Sequence, residues 1–192
     1  IVNKFFKKFN KIFFLSATMD ESFPQILGIN PKEMVFLSID GGFPPEYRPV
    51  YFPKDIPNIN YQTKIVEDLP NIKVLNAVLA AHNGQKGIIH TGNYRIFTAL
   101  QSIYGLDERF TWVEQGADKG AILKAHAEMK ESILVSPSMI EGVDLADDLA
   151  RWQVIFKVPY PAKSSYQDAL EEALPGLYQM STRNALVQAY GR

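Results

Sequence analysis

Gln188 and Arg192 stand four positions apart in the closing run Gln188-Ala189-Tyr190-Gly191-Arg192, so a helix that continues to the end of the chain turns both toward one cleft. A guanidinium in that position suits phosphoryl transfer. Delivered from one domain onto the γ-phosphate of a nucleotide held by another, it neutralises charge that develops in the transition state. Alone, a terminal arginine is an ordinary surface residue, so the reading depends on what stands upstream.

Three further blocks precede it: Phe14-Leu15-Ser16-Ala17-Thr18-Met19, then Gly87-Ile88-Ile89-His90-Thr91-Gly92-Asn93-Tyr94-Arg95, then Ser136-Pro137-Ser138-Met139-Ile140-Glu141-Gly142-Val143-Asp144. In the second block, hydroxyl and amide side chains follow a short apolar strand and are placed to cap the next helix, whose first N–H groups face outward. Gly92 permits close approach of a phosphodiester backbone, Tyr94 offers a face for base stacking, and Arg95 a phosphate fork. The plainer reading is a helix cap with a surface tyrosine. In the third block, Ser136 and Ser138 can donate to phosphate, while a carboxylate beside a glycine turn can accept from a ribose hydroxyl or an ordered water. Its plainer reading is a solvated acidic loop of Asp144, Asp147 and Asp148.

These blocks need a scaffold that brings them to one rim. At 192 residues and 46% hydrophobic content the chain can bury a full core, which excludes a disordered tail. A formal charge of -1 gives no global attraction to a polyanion, so nucleic-acid contact must come from local groups. No cysteine occurs, which removes disulfides and thiolate metal sites within these residues and agrees with a reducing cytoplasm. His82, His90 and His126 lack metal-ligand spacing, and His90, Trp112 and Trp152 read as packed side chains; no metal site is expected. No apolar run approaches the roughly 20 residues of a bilayer span, so no membrane partner is expected. Residues 1–15 mix four lysines with five phenylalanines, which predicts an amphipathic lead-in followed by a strand. The start without Met suggests a piece of a longer chain.

Patterning predicts strands at 11–15, 34–39, 51–53, 88–90, 111–113, 133–135 and 151–158. Helices are predicted at 21–27, across 61–82 as two pieces divided by Pro70, and at 94–104, 120–129, 164–174 and 180–190. The β-loop-α alternation gives an α/β fold, a mainly parallel sheet with helices on both faces, within one domain over 1–192. In such sheets ligands gather at the carboxyl ends of the strands, where these blocks fall. Glu171-Glu172 and Glu67-Asp68 read as solvated helix faces. There is no phosphate-loop sequence and no Asp-Glu-x-His metal box.

The blocks, in this order, resemble the C-terminal RecA-like motor domain of the DinG and XPD group of superfamily two helicases. Leu15-Ser16-Ala17-Thr18 is similar to motif III, residues 88–95 to motif IV, Ser136 to Asp144 with Leu145 to motif V, and Gln188 to Arg192 to motif VI. Val158-Pro159-Tyr160-Pro161 resembles the strand end between the last two. The likeness implies that Thr91, Gly92, Asn93, Tyr94, Arg95, Ser136 and Ser138 hold the backbone of single-stranded DNA. It implies that Ser16, Ala17 and Thr18 couple the motor domains, and that Glu141, Gly142, Asp144, Gln188, Gly191 and Arg192 close over ATP and Mg2+ bound mainly by an N-terminal motor domain of the same chain. Met139-Ile140 departs from the aromatic pair usual before Glu-Gly, and the family's second motif VI arginine, three residues after the first, would fall beyond Arg192 and is missing from these residues. The implied function is DNA unwinding in the cytoplasm, with repair as a role. The alternative is a non-catalytic nucleic-acid-binding or scaffolding module with a motor fold.

Overall fold

The computed structural model describes the chain apart from residues 1–5, 17, 20, 22, 40–43, 48, 138–143 and 191–192. In chain order its helices and strands are α1 (Phe23–Ile26), α2 (Pro70–Ala81), β1 (Gly87–His90), α3 (Tyr94–Tyr104), β2 (Phe110–Trp112), α4 (Lys119–Glu128), β3 (Ile133–Ser136), β4 (Trp152–Ile155), α5 (Ser165–Ala173) and α6 (Leu177–Tyr190). They group into two compact units, one of Ile1–Phe52 with Pro161–Val187 and one of Pro53–Tyr160 with Gln188–Arg192.

The second unit is built on a four-stranded, all-parallel sheet of order β2-β3-β1-β4. Side chains alternate across it with the period of two that strands impose. Ile89, Ile133 and Val135 join Ile72, Leu75 and Leu79 of α2 and Ile96, Phe97 and Leu100 of α3 in one core cluster. Their neighbours Ile88 and Leu134 join Val113 and Leu145, with Ile122 and Leu123 of α4, in another. Helices therefore cover both faces, which explains why β1 and β3 are buried along their whole length and read as unbroken apolar runs. Each fully buried aliphatic side chain, such as Ile72, Leu75 or Leu100, contributes about 1.5–3 kcal/mol. Gly87 is fixed by packing, because a Cβ there would lie 2.1 Å from the Trp152 ring of the adjacent strand. Trp152 stacks in turn on His82, and Trp112 packs edge-on against Phe97, so both tryptophans serve the packed interior.

Local chemistry explains where the elements depart from expectation. Helix α3 spans the predicted 94–104, but the helical piece predicted over 61–69 does not form. Asn60 Oδ1 takes the amides of Gln62 and Thr63, and Arg95 takes the carbonyls of Asn60 and Thr63, so the groups a helical turn needs are already bonded. Pro70 sets the start of α2 by holding Leu69 extended at ψ 132°. Strand β4 stops at Ile155, although its ladder continues through the Phe156 amide to the His90 carbonyl. The segments expected as strands at 11–15, 34–39 (both among described residues) and 51–53 are irregular, with Phe13, Leu15, Val35 and Ile39 exposed. A strand forms only where a neighbour accepts its backbone groups.

In the first unit, Ser164 caps α5 by accepting from the Gln167 amide. Glu171, expected as a solvated residue, instead accepts from the amides of Gly176 and Tyr178, both at 2.8 Å, and so caps the start of α6. Those N–H groups hold its carboxyl below the ordinary value, as a negative group at a helix N-terminus should be held.

Candidate nucleic-acid interface and nucleotide rim

At the carboxyl edge of the sheet, His90 of β1 pairs in register with Ser136 of β3, and the Thr91 amide donates to the Ser136 carbonyl at 3.0 Å. The second sequence block therefore meets the start of the third, Ser136, on one rim. Leu145, packed with Ile88 and Leu134, holds the chain beside Asp144 close to that edge, and Asp144 is exposed.

Asn93 is the N-cap of α3, its side chain accepting from the Ile96 amide at 2.9 Å. The amides of Tyr94 and Arg95 lie in the first turn, where no intrahelical carbonyl is available, so the rim offers N–H groups and the positive end of the helix. Tyr94 is 44% exposed and meets Phe97 edge-on, which fixes one end of its ring while leaving a face open. That arrangement can stack a base.

The neighbouring side chains are used internally. Thr91 is fully buried and donates to the Asn93 carbonyl at 3.1 Å, shaping the loop from inside. Gly92 has φ +73°, and a Cβ there would sit 2.9 Å from the Lys157 carbonyl, so protein backbone from the turn after β4 occupies the approach that the missing side chain opens. Ser136 is also fully buried. Arg95 donates from Nη1 to Thr63 O at 2.6 Å and from Nη2 to Asn60 O at 2.8 Å, so its fork clamps a turn 32 and 35 residues away.

On the other side of the third block, Asp148 pairs with Arg151. His126 of α4 is fully buried, and its Nε2 lies 2.7 Å from the Leu149 carbonyl. Burial pushes its pKa down, nearby Lys86 adds to this, and the Leu149 contact opposes it. A neutral ring donating from Nε2 therefore ties α4 to the segment that follows Asp144. The sequence carries no signal for this tie, nor for the Arg95 clamp. The Asn60-x-x-Thr63 spacing did mark a side-chain-closed turn, one that helical periodicity masked.

Ser16 and Thr18 belong to the first unit, where Thr18 N donates to Ser16 Oγ at 3.1 Å in a closed hydroxyl turn. Gln188 is half-buried near the end of α6. Ala17, Ser138, Glu141, Gly142, Gly191 and Arg192 lie outside the described residues. Among the described residues, no three His, Cys, Asp or Glu side chains are grouped to hold a metal, and no helix is long and apolar enough to cross a membrane.

An all-parallel sheet flanked by helices, with Thr91, Gly92, Asn93 and Ser136 at its carboxyl edge, defines a RecA-like α/β domain. The family model for the helicase C-terminal domain matches residues 79–192, which span β1 to β4 and the closing helices. The chain belongs to that family, a domain found in DinG/XPD-type helicases. No curated protein matches the chain significantly.

Proposed function

We propose that this chain is the second motor domain of an ATP-dependent DNA helicase, which binds single-stranded DNA at the rim and completes an ATP cleft with an N-terminal motor domain. One observation carries the reading: the motif IV block and the start of the motif V block join at a single sheet edge through the Thr91 amide and the Ser136 carbonyl, 45 positions apart in the chain (136 − 91). In this reading the α3 N-terminus engages the DNA backbone by its amides, Tyr94 stacks a base, and Asn93 and Thr91 hold the loop in shape. Buried Ser136 supports the rim, and Ser138 contacts phosphate.

Glu141, Gly142, Asp144, Gln188 and Gly191 contribute the facing wall of the nucleotide cleft, with Arg192 directed at the γ-phosphate. The exposed carboxylate of Asp144 fits an acceptor for ribose or water, and it is no part of a metal cluster among the described residues. ATP with Mg2+, held mainly by the other domain, would supply the reacting phosphate. Ser16, Ala17 and Thr18 pass closure of the cleft between the domains.

The test is DNA-stimulated ATP hydrolysis by the complete protein. Arg192→Ala should abolish turnover while nucleotide binding persists, because the guanidinium acts on transition-state charge. Turnover equal to wild type would remove that role.

A further inference from the structure

The turn that Arg95 clamps carries an aromatic ring that no role above uses. Tyr61 is 82% exposed at the apex of residues 60–63, yet the backbone beneath it is heavily bonded. Asn60 Oδ1 accepts from the amides of Gln62 at 2.8 Å and Thr63 at 3.1 Å, and Thr63 Oγ1 accepts from the Asn60 amide at 3.0 Å. Arg95 donates to the carbonyls of Asn60 and Thr63, on either side of Tyr61. The phenol is steadied as well, by the Gln62 side-chain amide at 3.0 Å.

Charge-assisted bonds from an arginine are strong and directional, and here both join distant backbone to the residue that follows Tyr94. Their consequence is geometric: the backbone on both sides of Tyr61 is held at the guanidinium of Arg95, which stands in the first turn of α3 next to the partly open Tyr94. A large ring held in water on a preorganised turn gains nothing for folding, but it loses little entropy when a flat partner stacks on it. Exposed Lys64 adds a positive charge one residue past the clamp, and the exposed carboxylates of Glu67 and Asp68 follow only further along the chain.

We infer that Tyr61 is a second base-stacking platform for single-stranded DNA, presented by Arg95 in continuation of Tyr94. Arg95 is then a positioning residue, acting through the turn. The inference rests on the rim being the DNA interface. Stacking of this kind is tolerant of base identity, because every base has a π-face.

The experiment is equilibrium binding by the protein of two probes, an oligothymidylate of about 16 nucleotides and an abasic strand of equal length. Tyr61→Ala should weaken oligothymidylate binding about 5- to 150-fold, the range that loss of one stacked base produces, and leave abasic binding near wild type. Tyr61→Phe should restore affinity, and Tyr61→Trp should show fluorescence quenched by oligothymidylate alone. If Tyr61→Ala binds oligothymidylate like wild type while Tyr94→Ala is weakened, the Tyr61 platform is wrong and the rim stands. Equal losses on both probes would also overturn it, by pointing to the backbone. Failure of wild type to bind either probe would remove the rim reading, and the platform with it.

Discussion

The Arg95 guanidinium lies 2.6 Å from the Thr63 carbonyl oxygen, and that contact converts a residue placed like a phosphate ligand into the brace of a distant turn. Its second nitrogen repeats the contact at Asn60, so neither bond can be made by a shorter or unforked side chain without loss.

Substituting Arg95 separates the brace from direct phosphate binding. Arg95→Ala should cost about 1–2 kcal/mol, the net value of exposed bonds between a charged donor and carbonyls, seen as a lower urea midpoint. Arg95→Lys keeps the charge but not the fork. It should therefore weaken single-strand binding nearly as much as alanine does, whereas near-wild-type binding by the lysine variant would assign Arg95 to phosphate.

Gly92→Ala combines backbone strain with a clash. At φ +73° the strain alone costs about 1–3 kcal/mol, and the Lys157 carbonyl 2.9 Å from the new Cβ adds to it. Gly116 is the internal control, since it has φ +79° with nothing within 4 Å. Urea titrations should show the Gly92 variant destabilised more than Gly116→Ala; equal losses would leave the Lys157 contact without energetic weight.

His126 should make stability fall on mild acidification. Its folded pKa is depressed below the ordinary 6.5, chiefly by burial, so the unfolded chain takes up the proton first. The contribution is present above pH 6.5 and is lost as pH falls through the lower folded value. Urea midpoints measured from pH 8 to 5 should show that step in wild type and lack it in His126→Gln; identical pH profiles would assign the step elsewhere.

Glu171→Gln should loosen the start of α6, the helix that carries Gln188. The Tyr178 and Gly176 amides depress the Glu171 pKa, so its stabilisation is present above the ordinary 4.5 and fades as pH falls through the folded value. Hydrogen exchange at Gly176 and Tyr178 should accelerate in the variant at neutral pH, by a margin that shrinks as acid protonates the wild-type carboxyl. Unaltered exchange at neutral pH would contradict the cap.

The sequence disclosed those parts of the fold that local chemistry decides. Asn93 caps α3 through its own side chain, and the alternation of Ile88 with Ile89 and of Leu134 with Val135 sets two buried faces, so α3, the central strands and the rim were readable in advance. Residues 61–69 misled because the apolar spacing of Ile65 and Leu69 is helical, while the deciding partner, Arg95, lies far along the chain. The uses of Gly92 and of His126 were hidden for the same reason, since each is set by a carbonyl from another element, Lys157 and Leu149. Residues 11–15 and 34–39 have strand-like composition but no strand beside them, and composition alone does not supply a hydrogen-bonding neighbour.

The account is tested most directly by amide hydrogen exchange of the protein with and without oligothymidylate. It predicts slowed exchange in the two rim segments, residues 60–64 and 91–96, and around Ser138, with the amino edge of the sheet around 107–110 unchanged. Protection elsewhere, with both rim segments unaffected by the bound strand, would contradict it.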